Sequence, residues 1–271
     1  MAEFHTSTSF KVLIVILVFS AGFLWGTRTI RDRIFPYSLL EGVVSNPEVS
    51  SQTGDVKRGK RVVYPFDPSD TKWARKVIDG GYILHFRHAQ REKWNDVTAF
   101  DAYELANGIQ AENSSFSRAT CLTDQGKEEA KMIGQIFAMT GVKISEVISS
   151  PSCRARQTAL LAFNRIDRIS NSLLHRTAMM PAQHDIFARE LRKLIEGLEV
   201  KDGENIILSG HGGTLKFDGD LVIDDDQTVD IDERDETGFI VLEKSGDKII
   251  ARHKFISLKN FANAVIEFTV N

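Results

Sequence analysis

Cysteine is nearly missing from this chain, with two residues, Cys121 and Cys153, in 271. Two cysteines cannot build a disulfide-dense scaffold. No CxxC pair or Cys/His cluster with zinc spacing occurs either, so a structural metal is not expected. An excess of charge of one sign is also lacking. The formal net charge of −3 gives the whole molecule no electrostatic footprint for nucleic acid. Internal repeats and low-complexity domains are absent, which excludes repeat arrays. Proline is scarce, and four of the six (Pro36, Pro47, Pro65, Pro68) fall in one stretch. What remains, 42% hydrophobic and 26% charged, is enough for one sizeable core with a small appendage.

One long run without charge exists, Val12 to Gly26, mostly Val, Ile, Leu and Phe. As a helix it spans about 22 Å, short of a hydrocarbon core of roughly 30 Å. Lys11 and Arg28 could snorkel and close the gap. The preferred reading is a tail over 1–10 and a transmembrane signal anchor over 11–27. A cleaved signal peptide, with Ser20-Ala21-Gly22 near a cleavage site, and a buried soluble helix are the alternatives. Residues 28–70 read as a linker, and the folded domain occupies 71–271. Arg28, Arg31 and Arg33 after the apolar run favour a cytoplasmic C-terminal domain. The basic run Lys57-Arg58-Gly59-Lys60-Arg61 suits either a solvated loop or contact with anionic lipid.

Hydrophobic periodicity sets the elements of the domain. Ser69-Asp70-Thr71 offers an N-cap, Trp73, Val77 and Ile78 share a helix face, and Gly80-Gly81 stops that helix. Tyr82–Phe86 reads as a strand. Leu122-Thr123-Asp124-Gln125-Gly126 caps a long helix carrying Ala130, Ile133, Gly134, Phe137 and Ala138 at helical spacing. A second strand covers Val147–Ser150, a helix Ala155–Phe163, and a third strand Ile169–Leu174. A helix over Phe187–Leu198 has Leu191, Leu194, Ile195 and Leu198 as its stripe. Ile206–Ser209 is a strand, and Phe239–Leu242 with Lys248–His253 form a closing hairpin around Ser245-Gly246-Asp247. Strands alternating with helices give an α/β fold, three-layer α/β/α with a mostly parallel sheet, preceded by the N-terminal hydrophobic helix. Ligands of such sheets gather at the carboxyl ends of the strands.

Three strands end in suggestive chemistry. The first ends in Arg87-His88. The second leads through Ser149-Ser150-Pro151-Ser152-Cys153 to Arg154-Ala155-Arg156-Gln157-Thr158 at a helix start. The fourth ends in Ser209-Gly210-His211-Gly212-Gly213. Two histidines and two arginines thus sit past strand ends, near helix N-termini whose N–H groups favour anions. The parts suit phosphoryl transfer. A neutral imidazole can attack phosphorus and carry the phosphoryl group. Arginine forks bind phosphate oxygens and offset transition-state charge.

On these segments, with Phe86-Arg87-His88-Ala89 and Leu122-Thr123-Asp124-Gln125-Gly126, the chain resembles the histidine phosphatase superfamily, the phosphoglycerate mutase-like fold, over roughly Thr71 to Phe261. The resemblance implies a phosphatase in which His88 is the phosphorylated nucleophile. It implies that Arg87, Arg154 and His211 form the phosphate pocket, and that no metal or other cofactor is needed. Gly80-Gly81-Tyr82 before the Arg-His strand and Cys153 before Arg154 look closer to exported bacterial members, such as lipopolysaccharide-core heptose phosphatases.

The chain departs from the family at three points. Ala89 replaces the usual glycine. Gly rather than Asp follows His211, which argues against the phytase and acid-phosphatase branch. Mutase-like members place a glutamate after the third strand, whereas Leu174-His175-Arg176-Thr177-Ala178-Met179-Met180-Pro181 has no carboxylate. The nearest acids there are Asp185 and Glu190, with Glu92 and Asp96 after the first motif. Asp185 and Glu92 are the candidate proton donors for an alkoxide leaving group. A phosphohistidine substrate would need none in the same way. Trp94-Asn95 echoes the mutase Trp-Asn pair one residue out of register, which speaks against a mutase.

Cys121 and Cys153 are candidates for a disulfide, the alternative being two buried thiols. With the family likeness, that bridge favours a periplasmic or extracytoplasmic domain over the cytoplasmic orientation the arginines suggest. The substrate classes left open are a glycolipid sugar phosphate, a small phosphomonoester and a phosphoprotein, including a phosphohistidine protein. A non-catalytic, membrane-anchored phosphate-binding module is the rival of another class. The acidic stretch from Asp224 to Glu236 lacks calcium-loop spacing and reads as a solvated connection or lid. His5, His85, His175, His184 and His253 carry no assigned partner.

Overall fold

Asp67 caps the first helix by accepting a hydrogen bond from the Ser69 N–H at 2.8 Å, and Pro68 takes the first helical position. Helix α1 (Pro68–Asp79) therefore begins before the Ser69–Thr71 cap expected from sequence, because proline's fixed φ suits the first turn. Asp70, not needed as a cap, is buried and pairs with His253 at 2.7 Å. The computed structural model describes residues 67–92, 120–175, 184–215, 221–223, 235–246 and 248–270. The expected tail, anchor and nearly all of the linker lie outside them, as do Trp94, Asn95, Asp96, 176–183 and most of the acidic stretch. Among the described residues, no helix is long and apolar enough to cross a membrane.

The remaining elements in chain order are β1 (Ile83–Arg87), α2 (Asp124–Thr140), β2 (Ile144–Ser149), α3 (Cys153–Phe163), β3 (Arg168–Ile169), a 3₁₀ turn (Asn171–Leu173), α4 (His184–Glu196), β4 (Asn205–Gly210), β5 (Leu221–Ile223), β6 (Phe239–Ser245), β7 (Lys248–Phe255) and α5 (Leu258–Val270). One sheet orders the strands β3-β2-β4-β1-β6-β7-β5. Only β6 runs against the others, pairing antiparallel with β1 and β7. The mostly parallel sheet and the closing hairpin were both legible in the pattern.

Side-chain alternation divides two cores. Leu84, Phe86, Ile207, Phe239 and Val241 face a layer built from α1, α2, α3 and α5, with Trp73, Ile133, Phe137 and Phe261 among its buried residues. Ile83, Ile206, Leu208, Ile240 and Leu242 face the other way, onto Leu173 and the α4 stripe Leu191 and Ile195. The arrangement is thus three-layer α/β/α. Successive residues of a strand point to opposite faces, so one sheet serves both cores.

One expected strand needs correction, and two further elements come from the structure. The third strand is only Arg168–Ile169. The Ser170 N–H still reaches the Ser149 carbonyl at 2.9 Å, but polar Ser170-Asn171-Ser172 then favours a turn and drops Leu173 into the core. The short strand β5 and the helix α5 were not expected.

Candidate active site

β1 delivers Arg87 and His88 to the carboxyl end of the sheet. The backbone there is held from both sides. The His88 N–H donates to the Gly210 carbonyl at 3.0 Å, and the Thr237 N–H donates to the His88 carbonyl at 3.2 Å. The His88 ring is nearly buried. Its Nδ1 lies 2.7 Å from the Ala89 carbonyl oxygen. A carbonyl can only accept, so Nδ1 carries the hydrogen and Nε2 keeps the lone pair. The Ala89 peptide is itself fixed, its N–H donating to Thr158 Oγ1 at 3.0 Å.

Arg154 stands in the first turn of α3, its side chain fully buried. Its Nη2 donates to His211 Nδ1 at 3.3 Å. Guanidinium has no acceptor, so His211 must accept at Nδ1 and carry its hydrogen on Nε2. That N–H faces two hydroxyls, Ser152 Oγ at 3.1 Å and Ser150 Oγ at 3.2 Å. Ser152 is the N-cap residue of α3 and makes no side-chain cap bond. Its hydroxyl is used on His211 instead.

Burial pushes the His88 pKa well below its ordinary value, and the Arg154 charge adds to this. The Ala89 carbonyl opposes the shift, while Arg87 and Arg91 reinforce it. Burial and Arg154, then His88, His175 and His85, push His211 down in the same way. Both rings are therefore neutral near pH 7. A neutral His88 with its lone pair on Nε2 is a competent nucleophile.

Arg87, His88, Arg91, Arg154, His175, Gly212 and Gly213 line a pocket of ≈ 270 Å³. Three guanidinium groups enter that wall and, among the described residues, no carboxylate does. Such a pocket suits a compact anion of high charge. The structure brings together Arg87, His88 and Arg154 as the sequence expects. His211 lies behind the wall, its ring centroid 5.2 Å from that of His88, with both nitrogens on protein groups. Asp185 is an exposed residue in the first turn of α4. Glu92 is half-buried, and its carbonyl accepts from Arg91 Nη1 at 2.7 Å. Neither carboxylate lines the pocket.

Sequence reasoning missed Arg91 and His175. Arg91 is placed by an isolated bridge to Leu122, and its neighbour Gln90 is held by several contacts. The Thr123 N–H donates to the Gln90 carbonyl at 3.1 Å, and the Gln90 N–H donates to Glu129 Oε2 at 3.0 Å. A Cβ on Gly126 would run into that Gln90 carbonyl, so the start of α2 can approach this closely only with glycine. His175 follows the 3₁₀ turn, its ring edge-on to His211 with centroids 5.5 Å apart. The signals were available: Arg91 stands three residues after His88, and His175 lies in the stretch where mutase-like proteins carry glutamate.

Cys121 and Cys153 form a disulfide, with Cα atoms 4.8 Å apart and a sequence separation of 32. The bridge ties the Leu122 strip, which bears on Arg91, to the residue immediately before Arg154. Among the described residues, no group of three or more His, Cys, Asp or Glu side chains could hold a metal ion.

No protein-family model matches the chain. No curated protein matches it either. Among solved structures, the chain is similar to the protein histidine phosphatase SixA complexed with tungstate, at 13% identity and a TM-score of 0.42, over 64% of this chain and 96% of that one. It is also similar to a mutant phosphoserine phosphatase from Entamoeba histolytica in complex with phosphoserine, at 13% identity and a TM-score of 0.39, over 64% of this chain and 95% of that one.

Proposed function

We propose that the chain is a phosphatase that hydrolyses a phosphomonoester through a covalent phosphohistidine on His88. The observation that carries this reading is the 2.7 Å contact between His88 Nδ1 and the Ala89 carbonyl. It orients the lone pair of a neutral imidazole at Nε2, in a pocket that also presents Arg87, Arg91 and Arg154.

In the first half-reaction, Nε2 attacks phosphorus as the bond to the leaving oxygen breaks. The arginines neutralise the phosphoryl oxygens, and charge-assisted forks supply both affinity and transition-state stabilisation. His211 holds Arg154 in place through Nδ1. In the second half-reaction, water attacks phosphorus and the P–N bond electrons return to Nε2. His88→Ala should abolish phosphate release from a generic aryl phosphate; retained turnover would sink the mechanism.

The pocket wall without a carboxylate among the described residues also supports a second reading, a phosphohistidine-protein phosphatase, whose imidazole leaving group needs no carboxylic acid. Faster turnover of a phosphorylated imidazole than of any phosphomonoester would favour it. We place the domain outside the cytoplasm, tethered by residues 11–27. The Cys121–Cys153 bridge supports this, since disulfides persist in oxidising compartments. A reporter fused after Asn271, active on only the cytoplasmic side, would contradict that placement.

A further inference from the structure

Resting on the phosphomonoesterase reading, we propose that His175 is the general acid that protonates the leaving oxygen, taking the part that a carboxylate plays elsewhere. The case begins with the pocket wall. Its described lining consists of three arginines, two glycines, His88 and His175. Arginine does not give up its proton in this range, and glycine has none to give. His88 is occupied as the nucleophile. His175 is therefore the one remaining side chain among the described lining residues able to transfer a proton near neutral pH.

Its mounting suits the task. The buried pair Leu173 and Leu174 anchors the chain just before it, and the Leu174 N–H donates to the Asn171 carbonyl at 3.0 Å. His175 is half-buried, with one side against His211 and the other on the pocket. The candidate carboxylates Asp185 and Glu92 do not reach that wall. Arg87, Arg91, Arg154, His88 and His211 share the site with His175, and a bound phosphate dianion offsets the cost of its imidazolium among those cations.

The step balances. His88 Nε2 donates its lone pair to phosphorus, and the P–O bond breaks with its electrons on oxygen. The oxygen takes a proton from the His175 imidazolium and leaves as an alcohol. His175, now neutral, accepts a proton from the water that attacks phosphorus. That attack returns the P–N electrons to His88 and releases hydrogen phosphate.

The test compares leaving groups within one protein. The full chain and His175→Gln are assayed with 4-nitrophenyl phosphate, whose leaving group needs little protonation, and with a simple alkyl phosphate, whose alkoxide needs it fully. A general acid contributes roughly 10² to 10⁴ in rate, so the variant's loss should be larger on the alkyl substrate by about that factor. His175→Glu should restore much of the difference. Because both rates come from one preparation, a fold defect cancels in the ratio. Equal losses on both substrates, or an undiminished alkyl rate, would overturn the proposal. His88→Ala is measured alongside, since turnover that survives it overturns the phosphomonoesterase reading instead, and this proposal with it.

Discussion

Arg154 donates to His211 at 3.3 Å from within the first turn of α3, and after burial, the larger cause, this one guanidinium further depresses the basicity of both His211 and His88. The consequence is a site in which two imidazoles remain neutral beside three cations. A neutral, oriented ring is what nucleophilic attack on phosphorus requires, and a cationic wall is what a phosphate dianion requires.

Arg154→Lys should therefore lose more than a conserved charge suggests. A lysine ammonium cannot present a planar fork to phosphate while also satisfying His211 Nδ1. Loss of one preorganised charge-stabilising donor costs about 10²–10³ in kcat. Steady-state kinetics of the lysine variant should show a fall of that order, and near-normal kcat would contradict the role.

The depressed histidines also set a stability profile. Both fold with pKa values below the ordinary 6.5, so the unfolded chain binds more protons just below that pH. Their contribution to stability is fully present above the unfolded pKa. It falls progressively as pH drops from about 6.5 toward the depressed folded values. Urea midpoints at pH 7.5 and pH 5 should show the decline, and His88→Gln should flatten part of it.

The Cys121–Cys153 bridge closes a loop with a sequence separation of 32. Loop-closure entropy for that length is worth roughly 3–4 kcal/mol. The double variant Cys121→Ser/Cys153→Ser should lose stability of that order in urea. Its KM should rise as well, because the Arg91 strip is no longer tied to the start of α3. A KM that stays put would confine the bridge to a structural role.

Asp70 and His253 offer a contrast. They form a buried pair at 2.7 Å between α1 and β7, and neither lines the pocket. Asp70→Ala leaves His253 Nε2 without that partner and should cost about 1–3 kcal/mol of stability. Its kcat/KM, measured well below the melting temperature, should stay within about twofold of the parent.

The legibility of these features in the sequence followed how local they are. The run Ile83–Phe86 stops at Arg87-His88, so the strand tip and the proposed nucleophile on it could be read together. Ser209-Gly210-His211-Gly212-Gly213 announced itself in the same way, and Leu191 and Ile195 marked the α4 stripe. The three-residue β5 is too short to rise above its acidic surroundings. In α5, Phe261, Ala262, Ala264 and Val265 are almost continuously apolar, which blurs a helical period. Arg91 and His175 reach the pocket only through tertiary contacts, the Leu122 bridge and the 3₁₀ turn. No spacing rule foretold that His211 would face Ser150 and Ser152 and stand behind the wall, because that choice depends on where Arg154 points.

The central claim concerns a single nitrogen. Rapid quenching in base during turnover of a phosphomonoester, followed by peptide mapping and ³¹P NMR, would show where phosphate is held. The account requires a base-stable, acid-labile phosphoryl group on Nε2 of His88, absent from His88→Ala. Turnover with no such adduct, or with the phosphate on another residue, would contradict it.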